Sequence, residues 1–185
     1  MTITTRRAFL GATGATLLTA AACNNGVGTG AGAQIDARVD ASRNFLFDRY
    51  PGTRDLAARA TGVLWMPLVT EAGFFVGGAY GRGALRINDV TVDYYSLTRG
   101  SYGIQVGAQQ YAHALFFMTE PALQSFRTSA GWAVGADVFY ATPEEGGSIG
   151  KETTEIHPVV ALVFGQYGLM AGVSLEGVKY TRILP

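Results

Sequence analysis

Ser174, Glu176 and His157 are the side chains whose types could supply a nucleophile, an acid and a base. Such a set works only when nucleophile and base lie within hydrogen-bond reach. The local sequence argues against it. A nucleophile elbow reads Gly-x-Ser-x-Gly, and Ala171-Gly172-Val173-Ser174-Leu175 lacks the second glycine. Cys23 is the only thiol, so no internal disulfide forms. Of the two histidines, His113 lies inside an apolar run and reads as a core imidazole, and His157, before Pro158, reads as a surface residue. No histidine pair has the i, i+3 or i, i+4 spacing of a metal site. Glu144-Glu145, the one adjacent carboxylate pair, sits in a glycine-rich polar stretch and reads as solvated charge. The expectation is a non-enzyme with no catalytic residue, no metal site and no cofactor.

The N-terminus carries a different kind of chemistry. Thr5-Arg6-Arg7-Ala8-Phe9-Leu10 precedes an apolar stretch from Ala12 to Ala22 that ends in small residues. This is the anatomy of a removable export segment. Arg6 and Arg7 with the flanking residues resemble a twin-arginine signal; an ordinary secretory signal is the alternative. Ala20-Ala21-Ala22-Cys23 resembles the lipobox of bacterial lipoproteins, in which the cysteine is acylated and becomes the first mature residue. Cleavage nearby and release is the alternative. The expected organisation is an export signal over residues 1–22, a lipidated Cys23 with a glycine-rich tether over 23–34, and one domain over 35–185. The expected location is the periplasmic side of the cell envelope.

The chain has 185 residues, enough for one domain with a sizeable core. Loss of Arg6 and Arg7 tips 14 basic against 14 acidic residues to a slight negative excess. No basic stripe is left for nucleic acid.

Any site must be positioned by the following elements. Ile35 to Asp48 reads as a helix with Ile35, Val39, Ser42 and Leu46 on one stripe and Phe45 beside it. Pro51-Gly52 ends it, and Thr53 reads as the cap of a second short helix that Gly62 stops. Val63 to Met66 reads as a strand ended by Pro67, and Gly81-Arg82-Gly83 as a hairpin or tight corner. His113 to Met118 reads as a strand buried on both faces. Thr119-Glu120-Pro121 opens a helix carrying Leu123 and Phe126. Gly131 to Tyr140, Val159 to Phe164 and Gly168 to Ile183 read as strands, the last with Ser174 and Glu176 on one face, and Pro143 to Thr154 as a polar loop. The pattern Gly-apolar-x-apolar-Gly starts at Gly73, Gly103, Gly131 and Gly168. Paired glycines on one strand face let a sheet curl. The expected fold is α+β and mainly β: an antiparallel barrel-like or sandwich sheet of roughly eight strands, with short N-terminal helices and one internal helix.

Four stretches in order resemble the SYLF domain family. They are Ala60 to Pro67 running into Glu71 to Phe74; Tyr94 to Leu97 with Gly100 to Gln109; Leu115 to Leu123 closed by Phe126; and Gly168 to Gly177. The similarity spans about Val39 to Arg182. It implies binding of membrane lipid, phosphoinositides or other anionic phospholipids, and no enzyme activity. Relatives bind lipid partly through a basic amphipathic N-terminal segment, so the resemblance assigns Arg38, Arg43, Phe45 and Arg49 as the lipid-binding residues. Asp36, Asp40 and Asp48 interleave with them and would offset the roughly 1 kcal/mol that each basic residue contributes near an anionic surface.

The function expected is therefore a lipid-anchored, lipid-binding envelope protein whose partner is membrane phospholipid. The alternative is an envelope structural or interaction lipoprotein with a protein partner, met through a patch formed by exposed Trp65, Phe74 or Tyr94.

Overall fold

Two long strands form most of the sheet, and each is used twice. The computed structural model describes residues 30–135, 138–149, 157–168 and 175–185, with the backbone alone at 74–75, 101–106 and 166–168. Helix α1 (Ala31–Arg49) and helix α2 (Thr53–Arg59) lead into strand β1 (Gly62–Ile87) and strand β2 (Val90–Phe117). Helix α3 (Glu120–Thr128), short strands β3 (Trp132–Ala133) and β4 (Val138–Ala141), a 3₁₀ turn (Pro143–Gly147), β5 (Val159–Gly168) and β6 (Lys179–Ile183) follow. The fold is α+β and mainly β.

β1 and β2 pair antiparallel along nearly their whole length, far beyond an ordinary strand. A twisted ribbon that long must bend. It bends where glycines face each other across the ladder, at Gly73↔Gly107 and Gly78↔Gly100. A Cβ at Gly73 would lie 2.9 Å from Gly77 Cα, so the corner has no room for a side chain. One layer is then β4, β5, the end of β2 and the start of β1. The other is β3, β6, the start of β2 and the end of β1. Among the described residues, six strands thus act as eight segments in one sheet, antiparallel except where β4 lies beside β5.

The core between the layers gathers Leu64, Met66, Tyr111, Leu115 and Phe117 from one and Leu85, Tyr95, Leu97 and Tyr180 from the other. Leu123 and Phe126 of α3 plug it. A second core joins Ile35, Val39 and Leu46 of α1 and Leu56 of α2 to Trp65, Ala114 and Phe116. Odd and even positions of the run from Ala112 to Phe117 enter different cores, so this segment of β2 is covered on both faces, as its unbroken apolar character predicts.

Several boundaries differ from expectation, each for a physical reason. α1 begins at Ala31, inside the stretch expected as tether. Thr53 is the first residue of α2 and not its cap; its buried hydroxyl donates to Tyr50 O at 2.7 Å. β1 runs through Pro67, because Pro67 falls in a register shift between Met66 and Val69 on a strand that pairs only with β2. The reversal lies at Asn88-Asp89, with φ of 50° and 66°, a two-residue turn of the primed type. Gly81-Arg82-Gly83 is straight strand. Gly131 to Tyr140 is not one strand: β3 pairs with β6 and β4 with β5. Gly168 to Ile183 is not one strand either. Leu175 to Val178 is a turn, closed by Val178 N–H to Leu175 O at 3.2 Å, with Gly177 at φ 73°. Pro143 to Gly147 forms a 3₁₀ turn where a polar loop was expected, and Thr154 lies outside the described residues.

The start of α3 follows its sequence closely. The Thr119 side chain accepts from Ala122 N–H, and Pro121 occupies the first turn, where its missing donor costs nothing. Thr119→Ala is expected to cost about 1 kcal/mol in chemical denaturation. No change would show that the cap contributes nothing.

Candidate functional site

On α1, Arg38, Phe45 and Arg49 share one stripe, since seven and eleven residues are close to whole numbers of turns. Arg43 is rotated about 140° from Arg38. The two flanks meet different surroundings. Asp36 accepts from Thr91 Oγ1 and from the Tyr94 hydroxyl, both at 2.8 Å. Asp40 accepts from Arg86 Nη1 at 2.6 Å, and Arg43 pairs with Asp89. That flank is thus consumed in holding α1 to the β1–β2 hairpin. Asp48 is bound at 2.8 Å by Arg54 of α2. Acids and bases that alternate in the sequence are sorted in space.

The four residues assigned to lipid binding therefore do not form one patch. Arg38 and Phe45 lie together. Arg43 is on the opposite flank in an ion pair, its guanidinium 6.0 Å from the Phe47 ring centroid. Arg49 ends the helix, 5.8 Å over the Tyr50 ring. Ile35, Val39 and Leu46 are buried in the protein's own core, so the apolar stripe of α1 is not available to a membrane.

What is available is a groove between α1 and the first arm of β1. Phe45, 45% exposed, stacks on Phe164 with centroids 6.3 Å apart. Pro67 and Leu68, the latter 39% exposed, form the facing wall. The hollow is about 430 Å³ and almost wholly apolar, with Arg38 on its rim. Across Arg38, Pro67 and Leu68 it adjoins a recess of about 140 Å³ beside Thr70, Tyr80 and Arg82. No carboxylate lines either part. Sequence reasoning found Arg38 and Phe45 but missed Leu68, Phe164 and Arg82. The signal that could have led there is Pro67, since a proline inside a strand marks an exposed edge.

The other hollows have different chemistry. One of about 300 Å³ between α1, α2 and the hairpin holds Arg43, Arg54 and Arg86, each already bound to an aspartate. One of about 500 Å³ opens beside Tyr140, Glu144 and Glu145. Glu144 and Glu145 are exposed, and Glu145 accepts from Thr142 N–H at 3.0 Å, which draws its carboxyl below the usual range.

The remaining candidates are dispersed. His113 is fully buried, its Nε2 2.7 Å from the Tyr180 hydroxyl, and burial lowers its pKa to about 3. Glu71, also buried, accepts from Gln109 Nε2 at 3.0 Å and lies 3.6 Å from Arg99 Nη1, a polar tie between the layers. His157 is not a surface residue but half-buried, its ring 5.6 Å from that of Phe139. Glu176 stands in a turn and not on a strand face. Arg6, Arg7, Cys23 and Ser174 lie outside the described residues, as does the Phe74 side chain. Of the aromatics expected for a protein-binding patch, Trp65 is 2% exposed and Tyr94 is tied to Asp36.

Residues 98–182 match the family model described as Ysc84, Las17-binding protein actin regulator. The match includes the last two stretches of the resemblance and most of the second, but not the first. No curated protein matches the chain.

Proposed function

Residues 98–182 belong to the SYLF (Ysc84) family, and from that premise we propose that the protein is a non-catalytic lipid-binding protein of the cell envelope. In this reading it leaves the cytoplasm by the twin-arginine route through Arg6 and Arg7. An acylated Cys23 then holds it on the periplasmic side of the membrane. Its ligand is anionic phospholipid, phosphoinositides being the ligand class that the family resemblance implies.

One observation carries the reading: the groove between α1 and β1, on the side away from the hairpin, presents exposed Phe45 and Leu68 with Arg38 and Arg82, and no carboxylate in the lining. The two arginines contribute about 2 kcal/mol at an anionic surface. Partial burial of Phe45 and Leu68 adds an amount of the same order. Such contact is weak for a free protein. An acyl anchor at Cys23 changes the arithmetic by keeping the domain at a high effective concentration beside the bilayer.

Flotation of the full-length Cys23→Ala protein with vesicles tests intrinsic lipid affinity apart from the anchor. Co-flotation is expected with vesicles rich in anionic phospholipid and not with zwitterionic ones. The double change Arg38→Glu, Arg82→Glu should weaken it at least about tenfold. No flotation with any mixture would overturn the reading.

The family description names a protein-binding role, which favours a second reading: an envelope interaction module with a protein partner. Val90 and Val92, 64% and 40% exposed near the hairpin tip, are the apolar surface for it. Crosslinking in the envelope that yields one dominant protein and no lipid would favour this reading over the first.

A further inference from the structure

We propose that the groove between α1 and β1 takes up one molecule of a long-chain fatty acid, its tail along Phe45 and Phe164 and its carboxylate between Arg38 and Arg82. The inference rests on the lipid-binding reading and names a ligand that this reading does not: a single-chain anionic amphiphile held as a monomer, apart from any bilayer.

The argument begins with what is left exposed. Phe45 and Leu68 face each other across a gap floored by Phe164 and Ala112, and an occupant there removes both from water at once. Arg38, Pro67 and Leu68 border both the apolar hollow and the recess beyond, so the two adjoin as parts of one groove. Its character changes along its length, from aromatic and aliphatic side chains to Thr70, Tyr80 and Arg82. An apolar end and a cationic end together describe an amphiphile with a negative head.

Size and charge narrow the class. About 430 Å³ with a further 140 Å³ lies within the range of small-molecule sites. The hollow has one wall on α1 and one on β1, and it accommodates one chain; a diacyl lipid would leave its second chain in water. Charge excludes the other hollows. Glu144 and Glu145 would repel a carboxylate, and the arginines beside α2 are already neutralised by Asp40, Asp48 and Asp89.

The test uses full-length Cys23→Ala protein, so that no acyl chain of its own competes. A fluorescent polyene fatty acid, kept below its micellar concentration, is the probe, with palmitate and hexadecanol as competitors. Saturable one-to-one binding is expected, with palmitate displacing the probe at least about tenfold more effectively than the uncharged alcohol. Arg38→Gln with Arg82→Gln should bring palmitate to the level of hexadecanol and leave hexadecanol itself unchanged. Ala41→Trp, at an exposed helix position on the groove wall, should block both competitors while the circular dichroism of α1 is retained. Absence of saturable binding, or binding indifferent to Ala41→Trp, would overturn the inference. Vesicle flotation of the same samples separates it from the membrane reading. Vesicle binding without palmitate binding sinks the groove ligand alone. Palmitate binding without vesicle binding sinks the membrane reading alone.

Discussion

Gly83→Ala is expected to destabilise the protein by about 3 kcal/mol or more, although it adds a single methyl group. The two arms of β1 fold onto each other, and their backbones touch where Gly81 and Gly83 pass Leu68 and Trp65. A Cβ at Gly83 would overlap the Trp65 carbonyl oxygen and stand 2.9 Å from the Trp65 carbonyl carbon and 2.5 Å from Met66 Sδ. Flexible side chains can swing aside from such a contact, but main chain cannot. Both arms are fixed by their ladders to β2, so relief requires the seam to open. The seam is also the surface that α1 covers, since Ile35, Val39 and Leu46 pack with Trp65 and Ala84. For a chain of this length the melting temperature should fall by roughly 6–12 °C. Gly100→Ala is the control: a Cβ there meets nothing within 4 Å, and stability should stay within about 0.5 kcal/mol. Equal losses at the two positions would show that the cost is a general intolerance of alanine in the ribbon and not the approach of the β1 arms.

That pair of glycines also explains what could and could not be read from the chain. Glycine announces that a Cβ is unwelcome, and three different geometries make it so: a reversal, a bend, and another backbone close by. The bend at Gly73 and Gly107 was foreseeable, because both belong to a spacing that repeats along the chain, whereas Gly78 and Gly100 lie outside it. Gly81 and Gly83 looked like a reversal, yet they serve the third purpose. The true reversal uses Asn88-Asp89, two residues that tolerate positive φ without any glycine. Helices fared better because their signals are local. Thr119, Pro121, Leu123 and Phe126 specify α3 within eight residues, and Ile35, Val39 and Leu46 specify the buried face of α1.

The candidate site divides in the same way. Arg38 and Phe45 lie two turns apart on one helix, so their companionship is written in the local sequence. Leu68, Arg82 and Phe164 join them only through long-range folding. The interleaved acids misled for a related reason. Helical geometry places Asp36 and Asp40 to one side of α1, but only their partners, Arg86, Thr91 and Tyr94, decide that this side is spent on the protein itself. The groove is left basic because the hairpin has drawn the carboxylates away from it.

Acid should destabilise the fold through one residue more than any other single group. His113 has no exposed surface, and its Nε2 is hydrogen-bonded to the Tyr180 hydroxyl at 2.7 Å. The Tyr180 phenol is pushed up by burial and keeps its proton, so it partners the neutral imidazole through Nε2. Nδ1 has no partner, so a second proton on the ring would place an uncompensated charge between the layers. Burial holds the folded pKa at about 3, against about 6.5 in the unfolded chain. Between those values the unfolded state binds a proton that the folded state refuses. The stabilisation is complete above pH 6.5 and is lost progressively as pH falls toward 3, on the order of 5 kcal/mol in all. His113→Gln keeps a hydrogen-bonding partner for Tyr180 and removes the titration. The variant should be less stable at pH 7, because its shape fills the site less well. Its stability should then fall less steeply, so that about 3 kcal/mol of the difference has been recovered by pH 4.5. Urea denaturation of both proteins at intervals between pH 7 and 4.5 measures this. The interval ends where the carboxylates begin to protonate, and their contribution is common to both proteins. Parallel stability curves over that range would mean that the imidazole reaches water before the fold is lost.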